Sequence, residues 1–126
     1  MPVKTVAILS PGDMGHAVGR ALRKGGLNVI TCLHSRSERT HQLAQEAGIE
    51  GVSSLKELVT KTDLILSIIV PAEAISLARE VAQAIRDSGS DTYFADCNAV
   101  SPQTTKEIQR IIISAGGRYI DASIVG

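Results

Sequence analysis

Aromatic side chains are nearly missing from this chain: one Phe, two Tyr and no Trp among 126 residues. Any core must therefore be built from Ile, Val, Leu and Ala, a palette that suits helices packed on a buried parallel sheet. An excess of charge of one sign is missing too. Lys plus Arg and Asp plus Glu stand at 13 each, so no global field draws the chain to nucleic acid or to an anionic membrane, and neither is expected as a partner. Long apolar runs are absent: the longest, Leu64 to Ala72, contains Pro71 and is too short to span a bilayer. Cysteine is scarce. Cys32 and Cys97 both sit in apolar runs, and the short Val6–Leu9 run leaves no room for a secretory leader. The expectation is a reduced, cytoplasmic protein whose thiols are small core side chains, with a redox pair as the alternative. His16, His34 and His41 lack a matching set of Cys or carboxylate ligands, so no metal site is expected.

What is there is alternation. At 44% hydrophobic and 21% charged, the chain has the make-up of one packed domain, residues 1–126. Apolar β-rich runs at Lys4–Ser10, Asn28–Leu33, Gly51–Val52, Asp63–Val70, Thr92–Cys97 and from Arg118 onward are separated by helical patterns. Met14, Val18, Ala21 and Leu22 share a helix face that Gly25-Gly26 closes, and a second helix is expected from Ser37 to Ala47. A third holds Leu55, Leu58 and Val59 behind a Ser53 or Ser54 cap. Glu73–Arg86 carries a stripe of Ile75, Ala78, Val81, Ala82 and Ile85. Ser101-Pro102 opens a last helix, ended by Gly116-Gly117. Strand and helix in strict turn, without hairpin signals, predict a doubly wound α/β domain with a mostly parallel sheet of about six strands and helices on both faces.

The loop after the first strand reads Ser10-Pro11-Gly12-Asp13-Met14-Gly15. It is a G-x-G-x-x-G dinucleotide fingerprint without its first glycine. Gly12 and Gly15 fill the positions for close approach to a pyrophosphate and for tight helix–strand packing. Ser10-Pro11 can replace the missing turn glycine, because a residue before proline stays extended and Pro11 fixes its own φ. Gly19, one turn beyond Gly15, extends the smooth helix face. Against this stands Asp13, a carboxylate that competes with an anion at the helix N-terminus, and such a corner also occurs in domains that bind nothing.

An NAD site wants an acid at the end of the second strand; here that end reads His34-Ser35-Arg36-Ser37. The planar Arg36 fork with flanking Ser35 and Ser37 hydroxyls matches a 2′-phosphate, which favours NADP over NAD. The alternative is that Arg36 and Arg39 merely line a solvated turn.

In order along the chain, "VAILSPGDMGHAVGRAL", "SRS", "IIVPAEA", "DCNAVSP" and "GGRYIDASIVG" resemble the NAD(P)-binding domain of the β-hydroxyacid dehydrogenase and 6-phosphogluconate dehydrogenase-like family. The Ser-Pro-Gly-Asp-Met-Gly form looks like a separate branch of it. The resemblance implies a Rossmann domain in which Gly12, Asp13, Met14 and Gly15 hold the pyrophosphate and Ser35, Arg36 and Ser37 the 2′-phosphate. It also implies that Val70 and Pro71 lie along the ribose and adenine side and that Asn98 approaches the nicotinamide. Read without the resemblance, Val70-Pro71 simply ends a buried strand and Asn98 bonds its own turn. Two positions depart from the family's substrate segment, Ser123 for Pro and Val125 for Ser, and no lysine follows Lys106. The expectation is a cofactor-binding domain without the family's catalytic lysine and helical second domain, taking part in oxidoreductase chemistry. A non-catalytic nucleotide-binding module working through a protein partner, or by self-association, is the alternative.

Overall fold

A computed structural model of the chain describes residues 3–9, 13–32, 48–52, 54–68, 71–97 and 101–121. Along the chain run β1 (Thr5–Leu9), α1 (Asp13–Lys24), β2 (Asn28–Cys32), β3 (Glu50–Val52), α2 (Leu55–Lys61), β4 (Leu64–Ser67), a 3₁₀ turn (Pro71–Glu73), α3 (Ala74–Ser88), β5 (Tyr93–Asp96), α4 (Pro102–Ser114) and β6 (Arg118–Asp121). The six strands form one sheet in the order β3-β2-β1-β4-β5-β6, and every pairing is parallel.

Alternation along β1 divides the core between two faces. Ala7 and Leu9 join a cluster that includes Leu58 and Val59 of α2, Val81 and Ile85 of α3, Phe94 of β5, and Ile108 and Ile112 of α4. Val6 and Ile8 join Val29, Ile49 and Ile68 on the opposite face, where Val18 and Leu22 of α1 pack. Gly19 is buried on that α1 face, whereas Ala21, expected on it, is exposed.

Local chemistry explains the helix ends. Of the two expected caps for α2, Ser54 is the one used: its hydroxyl accepts from the Glu57 N–H at 3.1 Å. The Ser101 hydroxyl does the same for Thr104 at 3.2 Å, with Pro102 opening α4. α3 ends at Gly89, whose φ of 71° only glycine adopts without strain. Gly116, at φ 100°, turns the chain out of α4 in the same way.

Three expectations are corrected. The fourth strand ends at Ser67 and not at Val70, because its partner β1 ends at Leu9, which is in register with Ser67. A 3₁₀ turn covers Glu73, so the next helix starts at Ala74 and continues to Ser88. Cys32 and Cys97 are free thiols, only half-buried at the margins of the two clusters. The helix expected over Ser37–Ala47 and the chain beyond Asp121 lie outside the described residues.

At the amino-terminal edge of the sheet, Asp63 clamps β1 to β4. Its Oδ2 accepts from the Lys4 N–H at 2.9 Å and the Thr5 N–H at 3.0 Å, and its own N–H donates to the Thr5 carbonyl at 3.0 Å. The Lys4 bond first, then the Thr5 bond, holds the carboxyl below its ordinary value of 3.8. A carboxyl depressed in the folded state contributes stability that is present above the unfolded pKa and is lost as pH falls through the folded one. Asp63→Ala is therefore expected to cost about 1 kcal/mol at pH 7, the usual worth of such bonds. The gap to the parent should narrow below about pH 4. Urea unfolding of both proteins at pH 7 and pH 3 checks this; a gap of equal size at the two values would refute the clamp.

Candidate functional site

Strand order reverses between β1 and β4, since the chain fills one side of β1 with β2 and β3 and then crosses to the other. In open parallel sheets the crevice at such a reversal, outside the carboxyl ends of the strands, is where ligands bind. Here the ladder is carried right to that edge. The Ile68 N–H donates to the Leu9 carbonyl at 2.9 Å, and the Cys97 N–H to the Ser67 carbonyl at 3.1 Å. Between β1 and β2, one step past the paired residues Ala7 and Ile30, the Thr31 hydroxyl donates to the Ile8 carbonyl at 2.6 Å.

From this edge β1 leads to α1, whose first residue is Asp13. Asp13, Met14 and Gly15 thus stand in the helix's first turn, where backbone N–H groups have no intrahelical acceptor and the helix dipole is positive. α1 approaches the sheet closely because Gly19 has no side chain. A Cβ there would lie 2.5 Å from Ile49 Cδ1, 3.0 Å from Ile49 Cγ1 and 3.4 Å from Ile8 Cδ1. A helix N-terminus held at the reversal by a side-chain-free face has the form a pyrophosphate needs. The residues present fit a dinucleotide.

Pro71 opens the 3₁₀ turn that follows β4 at the same edge. Ser10, Pro11, Gly12, Ser35, Arg36, Ser37, Val70 and Asn98 lie outside the described residues, as do His34, Arg39 and His41. Lys106 is exposed on α4.

Sequence reasoning passed over two polar groups at this edge. Ser67 ends β4 and Asp96 ends β5, paired in register and each 1% exposed. The available signal was a polar residue closing an apolar run, as in "LILS" and "YFAD". Asp96 acts on its neighbour: burial first, and then the Asp96 charge, pushes the Cys97 thiol above its ordinary value. Both effects favour the protonated form of this thiol. Among the described residues no group of His, Cys, Asp and Glu is arranged to hold a metal ion, and no helix is long and apolar enough to cross a membrane.

This sheet order, with a glycine-smoothed helix rising from β1 at the reversal, defines a Rossmann-type α/β domain. The chain belongs to the family of the NAD binding domain of 6-phosphogluconate dehydrogenase, whose profile matches residues 5–126. Binding of a nicotinamide dinucleotide, a small-molecule cofactor, follows as the family's property. The mitochondrial 3-hydroxyisobutyrate dehydrogenase of Drosophila melanogaster is 27% identical over 123 residues, 98% of this chain and 37% of that protein. The cytokine-like nuclear factor N-PAC of Anopheles gambiae is 29% identical over 119 residues, 94% of this chain and 21% of that one. A solved structure of a conserved protein of unknown function, described as similar to 3-hydroxyacid dehydrogenases, matches with a TM-score of 0.83 at 24% identity. That match covers 97% of this chain and 44% of the other. The chain spans less than half the length of each of these relatives.

Proposed function

We propose that these residues form the NADP-preferring cofactor half of an oxidoreductase that moves a hydride to or from a small hydroxy acid, carbonyl or imine. The observation that carries this reading is the start of α1 at Asp13, inside the Ser10–Gly15 loop and at the β1/β4 reversal. In it, Ser10-Pro11 makes the turn, and the backbone N–H groups around Gly12, Asp13, Met14 and Gly15 receive the pyrophosphate. Arg36 forms a bidentate pair with the 2′-phosphate, aided by Ser35 and Ser37. Val70 and Pro71 border the ribose and adenine, and Asn98 orients the nicotinamide, the group that supplies hydride chemistry when bound. No lysine follows Lys106, so these 126 residues bind the cofactor without appreciable turnover. Cys32 and Cys97 remain thiols in a reducing, cytoplasmic setting.

Calorimetric titration with NADPH and NADH tests the reading. NADPH is expected to bind at least about tenfold more tightly, the worth of one charge-assisted phosphate pair. Arg36→Ala should erase that preference and leave NADH binding nearly unchanged. Equal binding of the two by the parent chain would remove Arg36 from the site.

A second reading, a nucleotide-binding module that works through a protein partner, is favoured by the relative named as a nuclear factor rather than a dehydrogenase. Assembly with a catalytic segment should restore turnover on the first reading and not on the second.

A further inference from the structure

A groove of about 430 Å³ runs between α3 and α4, lined by Arg79, Ala82, Gln83, Arg86, Arg110, Ile111 and Ser114. Arg79, Gln83 and Arg86 recur along one stripe of α3, spanning about 10 Å, and Arg110 and Ser114 face them from α4. Buried Ala82 and half-buried Ile111 give an apolar floor. Three guanidinium groups line this concave surface and no carboxylate does.

Neighbouring acids account for only part of this charge. Glu107 reaches Arg79 at 3.5 Å, and the Asp87 carboxylate is occupied by Gln83 Nε2 at 2.9 Å. Among the described residues the Arg86 and Arg110 side chains have neither an ion pair nor a hydrogen bond. A basic residue in the last turn of α3 complements the helix dipole, which explains Arg86. Arg110 lies before the last turn of α4 and has no such role. Like charges gathered on one concave surface repel each other, and an anion placed between them removes that cost.

We infer that this groove is a second ligand site, for a compact organic polyanion carrying two or more phosphate or carboxylate groups. Its volume falls in the range of small-molecule sites, about 300–1,000 Å³, and its lining is mostly charged and polar, with the donors an anion needs. Arg110 and the Arg79–Arg86 stripe present planar donor forks from two helices, so the anion bridges α3 and α4. The site is separate from the dinucleotide crevice. It lies toward the carboxyl-terminal halves of α3 and α4, whereas the crevice is at the end of the sheet where these helices begin.

The test is calorimetric titration of the chain with sodium tripolyphosphate and with citrate at low salt, with and without NADPH. With NADPH filling the crevice, saturable binding at one site is expected. It should weaken at least about tenfold in the Arg86→Ala/Arg110→Ala double variant, the loss of charge-assisted bonds to an anion, and hold in Lys24→Ala, an exposed control on α1. All three side chains are exposed, so the variants should stay folded and unfold within a few degrees of the parent, the small loss of helix-dipole charge aside. Equal weakening by Lys24→Ala would reduce the effect to diffuse charge, and loss of all tripolyphosphate binding under saturating NADPH would move the anion to the crevice. Either result overturns the proposal. So does an acidic peptide that binds where neither probe does, which would make the groove a protein-docking face.

Discussion

Phe94→Ala is expected to lower the unfolding free energy by about 3–5 kcal/mol, the usual cost of emptying a buried phenylalanine site. With a typical total of about 5–15 kcal/mol for a domain, that is a large share of the stability. Phe94 is the chain's one phenylalanine and is 1% exposed. It sits in β5 between Ile65 of β4 and Tyr119 of β6, in the cluster shared by α2, α3 and α4. The neighbours are mostly aliphatic residues fixed on strands and helices and cannot close over a hole of this size. Urea unfolding is the measurement. A loss under about 1.5 kcal/mol, the ceiling for well-tolerated core swaps, would mean that the site collapses and that Phe94 does not organise the helical face.

Gly19→Val is expected to cost about 1–3 kcal/mol through overpacking and to weaken NADPH binding about tenfold or more, because a small displacement of a positioning element is costly. The added Cβ meets Ile49 Cδ1 at 2.5 Å, and Ile8 Cδ1 stands 3.4 Å away. The terminal carbon of Ile49 can rotate aside for Gly19→Ala, so that variant should lose little. Valine adds two methyl groups and has to lift α1 from the sheet, carrying the first turn with it. Thermal unfolding and NADPH titration separate the two effects. A destabilised Gly19→Val that still binds NADPH as the parent does would show that α1 does not set the cofactor's position.

The fold was largely legible because each element has one dominant signal. On the α3 stripe Ala78, Val81, Ala82 and Ile85 are buried as their spacing demands and Ile75 is half-buried, and the unbroken apolar runs are strands of a sheet covered on both sides. Ends were less legible where they depend on a partner. Nothing in "LILSIIV" says that pairing stops at Ser67; Leu9 of β1 decides it. The half-burial of Cys32 and Cys97 is likewise a matter of position, since both lie at the carboxyl edge where the sheet runs out. For the site, the glycine pattern pointed to the helix start at Asp13 and to Gly19. Ser67 and Asp96 escaped because a single polar residue closing a strand looks like the beginning of a loop, and its burial is created only by neighbouring strands.

The strand order also has a temporal meaning. β1 meets β2, β4 meets β5 and β5 meets β6 across local crossovers, whereas the β1–β4 seam joins segments as distant as Thr5 and Asp63, 58 positions apart. Loop closure grows only logarithmically, about 0.6 kcal/mol for each doubling of length, so the finished sheet is hardly weakened. Pairings of high sequence separation are nevertheless slow to form. A nascent chain that has made β1, α1 and β2 already owns the glycine loop but only one wall of the crevice. The second wall arrives with β4, so the cofactor cleft is complete only once the sheet's most distant pairing along the chain has formed.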